Sequence, residues 1–157
     1  MAVLLSTGYC SAIFGPVSFD QIFKFGCIEI YSGAQPATAD AAPTGTLLGR
    51  ITRNGTAWTA GLEAGGLEFV RSGRYVLKPS DHTWTLTGIA SGVAGWCRLR
   101  TNNNDLGGAD LISPRIDGAV GLDGADATQL YLQDLNISPG MLVPINHWWL
   151  AEPPIGA

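Results

Sequence analysis

A chain of 157 residues is the length of one domain and can bury roughly 70% of its extended surface. Apolar residues make up 46% and charged residues only 14%, against the roughly 25% usual for soluble domains, which excludes disorder and leaves a surface poor in charge. The formal net charge is −4, with seven Arg and two Lys, so general binding to nucleic acid, which needs a basic face, is excluded as well.

The first 26 residues read as helical. Leu5, Tyr9, Ala12 and Ile13 fall on one face of a short helix that Gly15-Pro16 must end. Ser18 stands three residues before Gln21, the spacing of a capping box, and Phe19, Ile22 and Phe23 form the stripe of a second helix. Gly26 suits the left-handed position after it. Two short helices with Phe14, Phe19, Phe23 and Phe25 among them are not stable alone and must dock on a body or on a neighbouring subunit.

From position 27 onward the signals are those of strands. Ile28 and Ile30 alternate with Glu29 and Tyr31, the period of a half-buried strand. A loop of small residues and prolines leads to a second strand over 47–52, stopped by Asn54-Gly55. Leu67 to Val70 and Tyr75 to Leu77 flank Ser72-Gly73 as a hairpin, and further strands are expected over 84–90 and 94–100. Residues 101–126 are rich in Asn, Gly and Asp and read as loop, with a brief extended piece around Ile116. Strands over 129–138 and 142–150, joined by Pro139-Gly140, close the chain. The expected fold is therefore all-β, a jelly roll or β-sandwich of about eight strands: a helical segment over 1–26 and a sandwich over 27–157 within a single domain.

Little in the sequence is arranged for chemistry. Cys10, Cys27 and Cys97 form neither a disulfide framework nor a zinc spacing and read as small buried hydrophobes in a reducing compartment. Ala2 to Leu5 is too short and lacks a basic leader for a secretory signal, and no apolar run approaches the ~20 residues that cross a bilayer. Asp81-His82 and His147 are the candidate acid–base groups, but no nucleophile elbow accompanies them. Asp105, Asp110, Asp117, Asp123 and Asp126 offer oxygen ligands for calcium without the EF-hand order, and the same composition makes ordinary turns. No enzyme activity, metal or cofactor is expected.

Trp96, Arg98 and Arg100 share one face of a strand. That residue mix is enriched at protein–protein contacts, and it can equally form an intramolecular cation–π stack or meet a glycan. With Phe14, Phe19, Phe23, Trp148 and Trp149 it makes the expected contact set. A glycan-binding sandwich would use Trp58, Trp84 or Trp96 as stacking platforms.

The run from Ile28-Glu29-Ile30-Tyr31-Ser32-Gly33-Ala34-Gln35-Pro36 through Ala39-Asp40-Ala41-Ala42 to Gly45-Thr46-Leu47-Leu48 resembles small virion proteins of tailed bacteriophages. The likeness continues through Ala94 to Leu99 and, more faintly, Pro114 to Gly118 and Gly124 to Asp126. It implies a jelly-roll capsid cement (decoration) protein that braces the major capsid protein on the outer shell. Such a part works as a homodimer or homotrimer, without nucleic acid or membrane as a partner, and passes through the host cytoplasm before assembly. A tail or head–tail component is the alternative within the same class.

Overall fold

The computed structural model describes residues 3–103, 105–122 and 130–151, apart from the side chains of Trp149 and Ala151. In chain order the elements are β1 (Leu4–Leu5), α1 (Thr7–Ile13), α2 (Phe19–Ile22), β2 (Cys27–Ser32), β3 (Leu47–Arg53), β4 (Val70–Ser72) and β5 (Tyr75–Leu77). They are followed by β6 (Trp84–Gly88), β7 (Gly92–Arg100), β8 (Arg115–Leu122), β9 (Leu130–Leu132), β10 (Asn136–Ile137), β11 (Leu142–Ile145) and β12 (Trp149–Ala151). The all-β expectation holds.

One large sheet runs β1-β8-β7-β2-β3-β6-β11 through antiparallel pairs, with β10 added to the start of β7 and β9 running parallel to the end of β8. A second sheet of three strands, β12-β5-β4, lies apart from it. Register fixes which residues share a face, because side chains alternate along each strand. Ile28 stands opposite Ile51 and Leu99, and Leu99 opposite Ile116, so one face of the large sheet is aliphatic. That face builds the core with Ile30, Leu86, Leu130, Leu132 and Ile137. Phe69 bridges the helices and the main sheet, its ring 5.5 Å from Phe19, 5.4 Å from Trp84 and 5.3 Å from Trp148.

The N-terminal segment differs from its sequence pattern. Leu5 lies in a strand opposite Ile116, and Ser6 caps α1 by accepting the Tyr9 N–H at 3.1 Å. Ile13, expected on the buried stripe, is exposed. Ser18 occupies the cap of α2 but its hydroxyl makes no capping bond, because its own carbonyl already takes the N–H groups of Gln21 and Ile22 in this single turn. The left-handed residue after α2 is Phe25, with φ +61, and Gly26 is needed for a different reason. A Cβ there would come within 2.0 Å of the Arg100 carbonyl oxygen.

Further along, β4 begins only at Val70, while Leu67 forms a lone bridge to Gly26. The piece expected around Ile116 is a full strand, β8, buried over most of its length. The two closing strands are each broken in two, β9 from β10 and β11 from β12.

Candidate functional site

Strand β2 is buried on both faces, not one: Glu29 and Tyr31 are as enclosed as Ile28 and Ile30. The reason lies in register. Arg50 of β3, Glu29 of β2, Arg98 of β7 and Asp117 of β8 stand opposite one another in adjacent strands, a row of alternating charge across the sheet. Opposite charges at facing positions attract, so this row favours the same register that the aliphatic face requires.

The second face therefore carries a buried ionic layer. Arg98 donates to Asp117 through Nε at 2.7 Å and Nη2 at 2.8 Å, a two-pronged pair in which both partners are enclosed. Glu29 accepts from Arg50 Nε at 3.0 Å, Arg100 Nη1 at 2.9 Å and the Tyr31 hydroxyl at 2.7 Å. Asp105, from the loop after β7, accepts from Arg115 Nε at 2.7 Å and Nη2 at 2.5 Å. Four guanidinium groups thus face three carboxylates; Arg98 also donates to the Ala41 carbonyl at 3.0 Å and Arg100 to that of Asp105, while Arg100 Nε and Arg115 Nη1 are buried without a hydrogen bond among the described residues.

Aromatic rings line the same layer. Tyr31 stacks on Trp96 with centroids 4.6 Å apart, Arg98 lies 5.3 Å over Trp96, and Arg100 lies 5.6 Å over Trp58. Burial pushes the Asp117 carboxyl above its ordinary value, and the Arg98 fork opposes this without cancelling it. Burial acts upward on Asp105 too, but bonds from Arg115 and the Gly107 N–H, with the Arg100 charge, hold it below the usual carboxylate range. Enclosure raises the thiol of Cys27 and pushes that of Cys97 up to about 12.

Most of the expected contact residues are spent inside the chain. Phe19, Phe23 and Trp148 belong to the core, and Trp96, Arg98 and Arg100 to the ionic layer, so none of these six presents a surface to a partner. The reason is that β7 is covered on both faces, by the core on one side and by loops 33–46 and 101–113 on the other. Phe14 alone of the set projects into solvent, 91% exposed, and the side chain of Trp149 lies outside the described residues. Trp58, Trp84 and Trp96 are buried and unavailable as glycan platforms. Cys10 is exposed, contrary to its expected burial, because it falls on the outer side of α1.

The candidate acid–base and metal residues do not converge. Asp81 is exposed, and His82 approaches Glu68 at 3.7 Å. His147 lies in solvent at a shallow depression with Tyr131 and Asn146. Asp105 and Asp117 are tied to arginines, Asp110 caps its own turn, and Asp123 and Asp126 lie outside the described residues. Among the described residues no group of three or more His, Cys, Asp or Glu is placed to hold a metal.

Sequence reasoning missed a different set. Leu106, Leu111 and Ile112 stand out of the 101–113 loop, whose ends are pinned from beneath by Asp105 and by Asp110. Their signal was present as three aliphatic residues inside an Asn/Gly/Asp tract, where a turn needs none. No family model, curated protein or solved structure matches this chain.

Proposed function

We propose that this chain is a structural part of a tailed-phage virion, a capsid cement protein that docks on the outer shell and braces neighbouring major capsid subunits. One observation carries the reading: large apolar side chains, Phe14, Leu106, Leu111 and Ile112, stand in solvent on a chain that turns much of its charge inward. Soluble domains do the reverse, and exposed aliphatic groups on rigid supports mark contact surfaces. The resemblance of the 28–48 run to virion proteins supports the choice of partner.

The physics suits the role. A shell under internal pressure fails where subunits separate, and a ligand that binds only the joined state shifts that balance by mass action. Many copies acting together need only modest affinity each. The test is to add the purified chain to shells that lack it and to heat them. Retention of packaged DNA to a higher temperature supports the reading; shells that neither bind the chain nor gain heat resistance refute it.

A further inference from the structure

We propose that the N-terminal arm, residues 3–13, is a strap that locks the 105–113 loop onto the sheet. Arm and loop open and close as one unit, separately from the long strands. The lock is a property of the free chain. Its consequence, that the aliphatic residues of the loop hold a fixed place only while the arm is seated, rests on the proposed function.

Ser6 joins the two parts. Its hydroxyl is wholly enclosed and serves three elements at once. It accepts the Tyr9 N–H at 3.1 Å, which caps α1, and the Arg115 N–H at 2.7 Å, where β8 begins. It donates to the Ser113 carbonyl at 3.0 Å, where the loop ends. The Ser6 N–H adds a bond to the Arg115 carbonyl at 3.0 Å.

Two further ties reinforce this one. At Gly8 the backbone of α1 lies directly against the backbone of Ile112 and Ser113, and a Cβ there would overlap the Ile112 carbonyl oxygen. Asp40 holds both parts through different atoms. Its carboxylate accepts the Thr7 N–H and hydroxyl at 2.8 and 2.6 Å, and its carbonyl accepts the Asp110 N–H at 2.9 Å. Asp110 in turn accepts the Ile112 N–H at 2.8 Å and the Ser113 hydroxyl, which makes the end of the loop a single piece.

Neither part is stable by itself. The arm is a two-residue strand at the end of the sheet and a seven-residue helix, too short to persist alone, and Val3 and Tyr9 are its members of the core. The loop, between β7 and β8, has no strand ladder. Segments held in this way open before the whole molecule does. They open together because unseating Ser6 leaves the enclosed Ser113 carbonyl and Arg115 N–H without a partner. A buried polar group in that state is costly until water reaches it, and water reaches these two once the loop lifts.

Native-state hydrogen exchange of the full chain in rising denaturant tests this. In the unaltered chain, hydrogen-bonded amides of the arm and of the 105–113 loop should share one opening free energy and one denaturant dependence. Both should open more readily than the amides of β2, β3 and β7. Gly8→Ala, which wedges the arm off the loop, should lower protection in both segments about tenfold or more and leave those strands unchanged. Ser6→Ala should have the same pattern, and Asp105→Asn, a change in the loop alone, should lower protection in the arm as well. A loop that keeps its protection when the arm loses its own, or an arm that opens only with the whole sheet, would overturn the proposal. Shell binding plays no part in this readout, so a negative result leaves the proposed function to its own test.

Discussion

Arg98 and Asp117 are each almost wholly enclosed, and their value lies in being together. Removing one partner leaves the other charge buried without compensation, which costs about 3–5 kcal/mol, whereas replacing both with apolar groups of similar volume is often neutral. Asp117→Ala should therefore lower the urea unfolding midpoint sharply, and the double variant Arg98→Met, Asp117→Leu should recover most of the loss. Equal loss in the single and double variants would show that the pair is not coupled.

Glycine positions separate in the same way. Gly45 has φ +79, and a Cβ on it would lie 2.0 Å from the Ser32 carbonyl oxygen, while Gly61, φ +87, has nothing within 4 Å. Gly61→Ala should cost only the left-handed penalty of about 1–2 kcal/mol, and Gly45→Ala distinctly more, measured as unfolding free energy. Of the three thiols, Cys10 alone should react with a disulfide reagent at mild alkaline pH, since the other two are enclosed with raised pKa values. All three should react once the chain is unfolded.

Between strands, the ionic layer decides what acid does. Asp105 is held below the ordinary carboxyl value, so its contribution is present above the unfolded pKa of about 3.9 and is lost as pH falls through the folded value. Asp117 is raised, so the folded state binds its proton more firmly and falling pH through that value favours folding. Acid should thus loosen the 101–113 loop before the sheet. The protection factors of amides 105–113 should fall at low pH, and Asp105→Asn should produce the same fall at neutral pH.

At this scale the sequence is informative where period and turn chemistry agree. The strands at 28–31, 47–52 and 75–77 and the turns at Asn54-Gly55 and Pro139-Gly140 are placed by local pattern alone. The buried ionic layer is not, because alternation marks Glu29 and Arg98 as polar and therefore outward. What encloses them is long-range: register sets opposite charges side by side, and loops distant in sequence cover them. Strand β8 escaped for a related reason, since Gly118 and Asp117 read as turn residues until Arg98 is known to face them.

For the molecule as a whole, the two faces of one sheet divide the work. The aliphatic face and the aromatic cluster around Phe69 hold the helices and the small sheet, and the ionic face holds the loops that carry the exposed aliphatic residues. Under the proposed cement role, contact with the shell would fall to the loops, and the charges beneath would hold those loops in place. The most direct measurement of the virion role is a cryo-electron density map of intact particles whose genome encodes this chain. The expected result is density for the chain on the outer shell in many symmetry-related copies. Particles in which it is absent, or present only at the tail tip, would contradict the cement reading.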